Sequence, residues 1–286
     1  MAKKSIISAV LVLALVTMAC GLRVNLPVQE VNTGPTQTEE INVPVPDSSE
    51  TADLEISFGA GELHLSAGAG EALVSGTATY NVPDLKPVVR SSGNSIRLTT
   101  GELEIRGIPN FGRNIKNEWD LELGDAPLNL RINAGAYQGR YELGGLSLTS
   151  LEISDGAADV RLEFSEPNRV EMSSLVYQTG ASNVRLSGLA NANFSSMTFR
   201  SGAGDYTLDF SGELQRDAAV RVESGISQVT IVVPDGVSAQ VIFEGGLTNI
   251  ETHSGWQRSG NTYTRSGSGP TVTIRVDMGA GSLDLR

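Results

Sequence analysis

One pattern recurs along most of this chain and constrains its fold more than anything else. It is a strand with alternating apolar residues, a cluster of very small residues, then a second alternating strand. LEISFGAGELHL (54–65), LRINAGAYQGRYEL (130–143), LEISDGAADVRL (151–162), LVYQTGASNVRL (175–186) and MTFRSGAGDYTL (197–208) are copies. VRVESGISQVTI (220–231), VIFEGGLTNI (241–250) and IRVDMGAGSLDL (274–285) complete the set. The glycines that open the small clusters are Gly59, Gly135, Gly156, Gly180, Gly202, Gly225, Gly246 and Gly279. From Gly135 to Gly246 they are spaced by 21, 24, 22, 23 and 21 residues. A fixed period of this length marks a stacked-repeat architecture.

The alternation supplies the physics. In Leu54-Glu55-Ile56-Ser57 the apolar residues face one way and the polar ones the other, because successive side chains of a strand point to opposite faces. Val160 with Leu162, and Val184 with Leu186, repeat the pattern, so each copy has one buried and one wet face. The small cluster must turn the chain in little room. Glycine is expected to provide a left-handed backbone there, and alanine to fit where stacked corners approach. A period of about 22 residues at roughly 3.3 Å each gives a contour near 70 Å, enough for two or three short strands per coil. Eight coils at about 4.8 Å would make a rod on the order of 40 Å long. A β-sandwich also repeats short strands, but its loops have no reason to repeat one small-residue corner. No long stretch after residue 50 shows a helical period. The expected fold is therefore all-β: a single-stranded, β-helix-like solenoid of about eight coils, each depending on its neighbours for stability.

Residues 66–127 depart from the spacing. Tyr80-Asn81-Val82-Pro83, Pro87, Pro109-Asn110-Phe111 and Asn117-Glu118-Trp119-Asp120 read as irregular β structure covering the first coils, since an uncovered end rung is an aggregation template. Residues 251–273, with His253, Trp256 and Tyr263, read as a second cap or a loop on the side. The expected division is a leader over 1–19, a flexible tether over 20–50, an N-terminal β region and cap over 51–127, and the repeats over 128–286.

The first residues carry an export signal. Lys3-Lys4 precede the apolar run SIISAVLVLALVTMA (5–19), which is too short for a comfortable membrane span. It ends at Thr17-Met18-Ala19-Cys20, which resembles the bacterial lipoprotein signal; Thr17 stands where a leucine is usual. The resemblance implies a lipidated Cys20 as the first mature residue, a partner membrane reached through its acyl chains, and an envelope location outside the cytoplasm. Cys20 is the one cysteine, so neither an internal disulfide nor a multi-thiolate zinc site is available. Residues 21–50 hold Pro27, Pro35, Pro44 and Pro46 among polar residues and read as a spacer, although Ile41-Asn42-Val43 can pair as a first strand.

The chemistry is sparse. A net charge of −12 argues against nucleic acid as a partner. His64 and His253 stand apart, and no nucleophile elbow, phosphate loop or zinc-protease helix occurs. Neither a cofactor nor a metal site is expected. Asp155, Asp159, Asp205 and Asp209 lie near corners and raise the idea of stacked catalytic carboxylates, but acidic residues on a wet face also simply keep such a rod soluble. Gly202-Ala203-Gly204-Asp205-Tyr206-Thr207-Leu208 faintly matches a calcium-binding nonapeptide, with the wrong period.

LEISFGAGELHL, ATYNVPDLKPVV (78–89) and NEWDLELGDAPLNLRINAGA (117–136), in that order, resemble the toast-rack family of bacterial envelope proteins. The later copies are similar to related adhesin-like repeat domains. The resemblance covers roughly residues 40–286. It implies a β-solenoid at the envelope and brings no catalytic residues. The function expected is non-enzymatic: a lipid-anchored solenoid offering a long face to cell wall, glycan or protein. The alternative is an extracytoplasmic sensor or regulator of envelope stress. Tyr137, Tyr177, Tyr206, Trp256 and Tyr263 are the candidate contact aromatics, with packing inside the stack as the competing role.

Overall fold

The computed structural model describes residues 28–30, 33–47, 50–101, 108–110 and 115–286. The leader and Cys20 lie outside the described residues. The strands, in chain order, are β1 (Val28–Glu30), β2 (Gln37–Pro44), β3 (Ala52–Ala67), β4 (Ala72–Tyr80), β5 (Pro87–Ser92), β6 (Ser95–Thr100), β7 (Ile108–Asn110), β8 (Asn117–Leu123) and β9 (Leu128–Glu142). They continue as β10 (Leu148–Glu163), β11 (Met172–Ser187), β12 (Phe194–Asp209), β13 (Ala218–Val232), β14 (Gly236–Thr252), β15 (Trp256–Ser259), β16 (Thr262–Arg265) and β17 (Gly267–Leu285). In one unit, whose described residues are 28–30 and 108–110, β1 and β7 pair in parallel. The other comprises 33–103 and 115–286 and holds the repeats.

In that second unit an open sheet runs β15-β16-β14-β17-β13-β12-β11-β10-β9-β3-β8-β4-β2. Its middle is a stack of long parallel strands, β3, β9 to β13, β17 and β14, each 15 to 19 residues. The small clusters do not separate two strands as the pattern suggests. Each strand runs through its corner, because neighbouring corners bend together and the ladder resumes one residue past the glycine: Asp155 pairs with Ala134, and Ala157 with Ala136. A coil is therefore one bent strand with two wings, closed by a return that is not strand. Phe164, Leu189, Ala192 and Phe210 on those returns are buried and seal the third side.

The interior is built of aligned columns. Leu54, Leu130, Leu151, Leu175, Met197, Val220, Ile274 and Val241 are directly paired along the first wing, and all are buried. Leu162, Leu186, Leu208, Ile231 and Leu285 form a matching column on the second wing. Burial of this much aliphatic surface, at about 25 cal/mol per Å², is the main force holding the coils in register. A slip of one residue would turn every such side chain to water.

The corner glycines superpose, and close approach rather than left-handed backbone is what demands them. A Cβ on Gly135 would lie 2.3 Å from the Gly59 carbonyl oxygen, one on Gly180 2.5 Å from that of Gly156, and one on Gly202 2.5 Å from that of Gly180. Gly225 meets Gly202 at 2.5 Å, Gly279 meets Gly225 at 2.9 Å, and Gly246 meets Gly279 at 2.4 Å. The left-handed role falls instead to the third residue of three corners, Gly61 (φ +130°), Gly204 (φ +148°) and Gly281 (φ +130°).

Both ends carry extra strands. On the side of β3 away from β9 the wings part: β6 and then β5 extend the first wing, while β8, β4 and β2 extend the second. Ile41 and Val43 on β2 are buried there, so Gln37–Pro44 is part of the fold although it falls within the segment expected as tether. At the far end the stack leaves chain order. The last copy, β17, inserts between β13 and β14. The excursion before it forms β15 and β16, with β16 antiparallel on the first wing of β14.

Candidate contact surface

Two outer faces and one internal cluster carry the polar chemistry. On the first wing's outer face most arginines are paired with carboxylates, Arg90 and Arg275 excepted. Arg97 pairs with Glu55 at 3.2 Å, Arg131 with Glu152 at 3.0 Å, and Arg200 and Arg221 both reach Glu223 at 2.7 and 2.6 Å. The two guanidinium groups beside Glu223 hold its carboxyl below the usual range. The corner presents a ridge of small residues, Ala136, Ala157, Ala181 and Ala203, that ends in exposed Ile226 and Leu247.

The second wing's outer face differs. His64, Arg140, Arg161 and Arg185 stand directly opposite one another on β3, β9, β10 and β11. Asp120 continues the row beyond His64, and Thr207 beyond Arg185. Two residues along on the same face lie Asp159, Glu142 and Glu163, together with the neutral Gln138, Asn183 and Ser187. A groove of about 400 Å³ runs over the row.

Inside the corner of β10 the strand pairing is interrupted between Asp155–Thr179 and Asp159–Asn183. Side chains take over. Ser182 Oγ accepts from the Ala158 amide at 2.9 Å, and Tyr177 donates to Asp155 Oδ2 at 2.7 Å. Thr179 also donates to Asp155, Tyr137 reaches the same carboxylate at 3.5 Å, and Tyr141 donates to Tyr137 at 2.9 Å. Gly139 makes room, since a Cβ there would lie 2.9 Å from the Tyr137 ring and 3.0 Å from that of Tyr141. Burial raises the Asp155 pKa, against the lowering effect of its hydroxyl donors. Burial likewise pushes the Tyr137, Tyr141 and Tyr177 hydroxyls far up.

The sign of the pH effect follows from that shift. Asp155 holds its proton more tightly folded than unfolded. Its stabilising contribution is complete below its unfolded pKa, near 3.8, and is lost as pH rises through the higher folded value. Asp155→Asn removes the titration. Its thermal midpoint relative to wild type should therefore improve as pH rises from about 3 to 7; a difference that does not change with pH would contradict the burial of this carboxylate.

Four of the five candidate contact aromatics are corrected by their positions. Tyr137, Tyr177, Tyr206 and Tyr263 are at most 5% exposed, so these four rings offer no contact face. Tyr177 stacks on Phe199 at 5.5 Å, and Tyr206 meets Phe199 edge-on at 5.2 Å and donates to the Ala203 carbonyl. Tyr263 lies under Arg258. Trp256 is half-buried beneath Arg265. The reason is parity: a ring two residues from a core leucine shares its face, and aromatic area is best spent inside a stack with few other large side chains. The four corner aspartates are not brought together either. Asp155 points into the corner, while Asp159 and Asp205 lie outside on strands separated by Asn183 of β11. Among the described residues no three His, Cys, Asp or Glu side chains converge as metal ligands, and no helix is long and apolar enough to cross a membrane.

The family model for the N-terminal domain of toast_rack, DUF2154, matches residues 32–173 and 167–232. No curated protein matches the chain. Among solved structures, a "putative cell adhesion protein" from Clostridium sporogenes is 18% identical, with a TM-score of 0.49, over 88% of this chain and 99% of that one. A "putative adhesin" from Bacteroides fragilis is 13% identical, with a TM-score of 0.45, over 90% of this chain and 100% of that one. A "putative lipid binding protein" from Parabacteroides distasonis is 9% identical, with a TM-score of 0.39, over 91% and 100%.

Proposed function

The chain belongs to the toast-rack family, and from that premise we propose that it is a non-enzymatic, lipid-anchored envelope protein that makes adhesin-like contact through the outer face of its solenoid. What supports this function is the register of the outward side chains. Residues such as Gln138, Asp159, Asn183 and Asp205 stand opposite one another on consecutive strands, at a spacing of about 4.8 Å. A rigid surface with a repeat of that size suits an extended, repetitive ligand better than a small one. Cell wall and glycan are such ligands, and a protein strand or filament is another. Cys20 supplies the anchor, and the acyl chains on it would hold the face outside the membrane.

The test uses the full chain. Expressed with its leader in a bacterial host, the protein should partition with membranes into detergent, and Cys20→Ala should not. The solubilised wild type should co-sediment with isolated cell wall and score in a glycan screen. Retention and size unchanged in Cys20→Ala would remove the anchor. No binding to wall or glycan, with cross-linking to a membrane protein instead, would replace adhesion by envelope sensing.

A further inference from the structure

Among the described residues most cations touch a carboxylate; Arg90, Arg258 and Arg275 stand singly without an ion pair, and one set of three stands in a row. On the first wing Arg97, Arg131, Arg200 and Arg221 each touch a carboxylate. Elsewhere Lys86, Lys116, Arg169, Arg216 and Arg265 do the same. Arg140, Arg161 and Arg185 are exposed, directly opposite one another, and form none of the ion pairs found among the described residues. Three like charges at about 4.8 Å on adjoining strands repel one another and cost stability. A chain with 33 acidic residues has carboxylates to spare for them. Glu142, the acid beside Arg140, is turned away: it accepts from the Gly144 amide at 3.0 Å and from Ser165 Oγ at 2.9 Å. His64 extends the row, and its Nε2 is buried without a hydrogen-bond partner, 3.9 Å from Glu62.

We propose that the row His64–Arg140–Arg161–Arg185 binds an acidic polysaccharide, laid across the strands along the stack so that successive carboxylates meet successive guanidinium groups. This rests on the contact function above and names its ligand. Planar guanidinium forks match carboxylates two bonds at a time. The flanking residues select the polymer. Asp159 and Glu163 accept hydrogen bonds from sugar hydroxyls, which offset their repulsion of an anionic polymer; polyphosphate has no such hydroxyls along its chain and meets the repulsion alone. Gln138, Asn183 and Ser187 on the same face can serve hydroxyls as donors or acceptors. A polymer that mixes carboxylates with hydroxyls satisfies the whole face.

The experiment is calorimetric titration of the detergent-solubilised full chain with polygalacturonate, polyphosphate and neutral dextran, at low and high salt. Polygalacturonate should bind and weaken as salt rises, with dextran and polyphosphate far weaker. The triple variant Arg140→Gln, Arg161→Gln, Arg185→Gln should lose at least tenfold in affinity. Arg131→Gln with Arg200→Gln, both paired with carboxylates on the first wing, should not. The triple variant's thermal midpoint should equal or exceed that of wild type, because repulsion is relieved, which separates lost binding from lost fold. Equal polygalacturonate binding by wild type and triple variant would overturn the row as the site, and tighter binding of polyphosphate would overturn the ligand class. If wild type binds cell wall but not polygalacturonate, this inference fails while the contact function stands; if it binds neither, both fail.

Discussion

Gly204→Ala should be among the most damaging single substitutions in this chain, lowering stability by about 3 kcal/mol or more. Two independent costs add there. The residue sits at φ +148°, where side chains are rarely tolerated, and a Cβ would lie 1.8 Å from the Ser182 carbonyl oxygen. Its strand, β12, is hydrogen-bonded on both sides, to β11 and β13, so it cannot retreat without breaking a ladder. The corner glycines give the graded comparison. Gly180→Ala places its Cβ 2.5 Å from a backbone oxygen without the φ penalty and should cost less. Gly156→Ala, at 3.1 Å, should cost least of the three. Urea denaturation midpoints of the three variants should follow that order. Wild-type midpoints for Gly204→Ala would mean that the corners are not stacked as described.

The same geometry shows how far residue order alone carries. Alternation of Leu, Ile and Val fixes which face of each copy is buried, and the glycine period fixes how copies align, because both are local consequences of strand geometry. What local pattern cannot encode is which copy neighbours which. IRVDMGAGSLDL lies between β13 and β14, ahead of VIFEGGLTNI in the stack although behind it in the chain. Continuity of strand through the corners is likewise a property of neighbours bending together. The interior tyrosines were within reach of parity: Tyr177 shares a face with Leu175, and Tyr206 with Leu208. Tyr137 shares its face with Tyr141 and Leu143, and its ring occupies the space that Gly139 leaves. The arginine row was also legible, as Arg140, Arg161 and Arg185 follow one another at 21 and 24 residues, in step with their glycines. Their lack of ion-pair partners required coordinates.

Tyr177→Ala carries the second large effect, and it decides whether this aromatic is a surface contact or part of the interior. The ring is fully buried, stacks on Phe199 at 5.5 Å, and its hydroxyl donates to Asp155 at 2.7 Å. Its removal leaves a cavity in a coil that has no slack, because the strands on either side are held in register; the expected loss is about 3–5 kcal/mol. Tyr177→Phe keeps the ring and takes away the donor alone, at about 1–3 kcal/mol. The two variants should also differ from wild type in their response to pH. Tyr177 stabilises the charged form of Asp155, so removing its hydroxyl pushes the already raised pKa of that carboxylate higher. In Tyr177→Phe the fall in stability with rising pH should therefore extend to higher pH than in wild type. Thermal melts of the three proteins across that range are the measurement. An unchanged midpoint in Tyr177→Ala would place the ring on the surface and return it to the list of contact residues. A large drop there with a smaller, pH-dependent drop in Tyr177→Phe fixes it inside the stack as the partner of a buried acid.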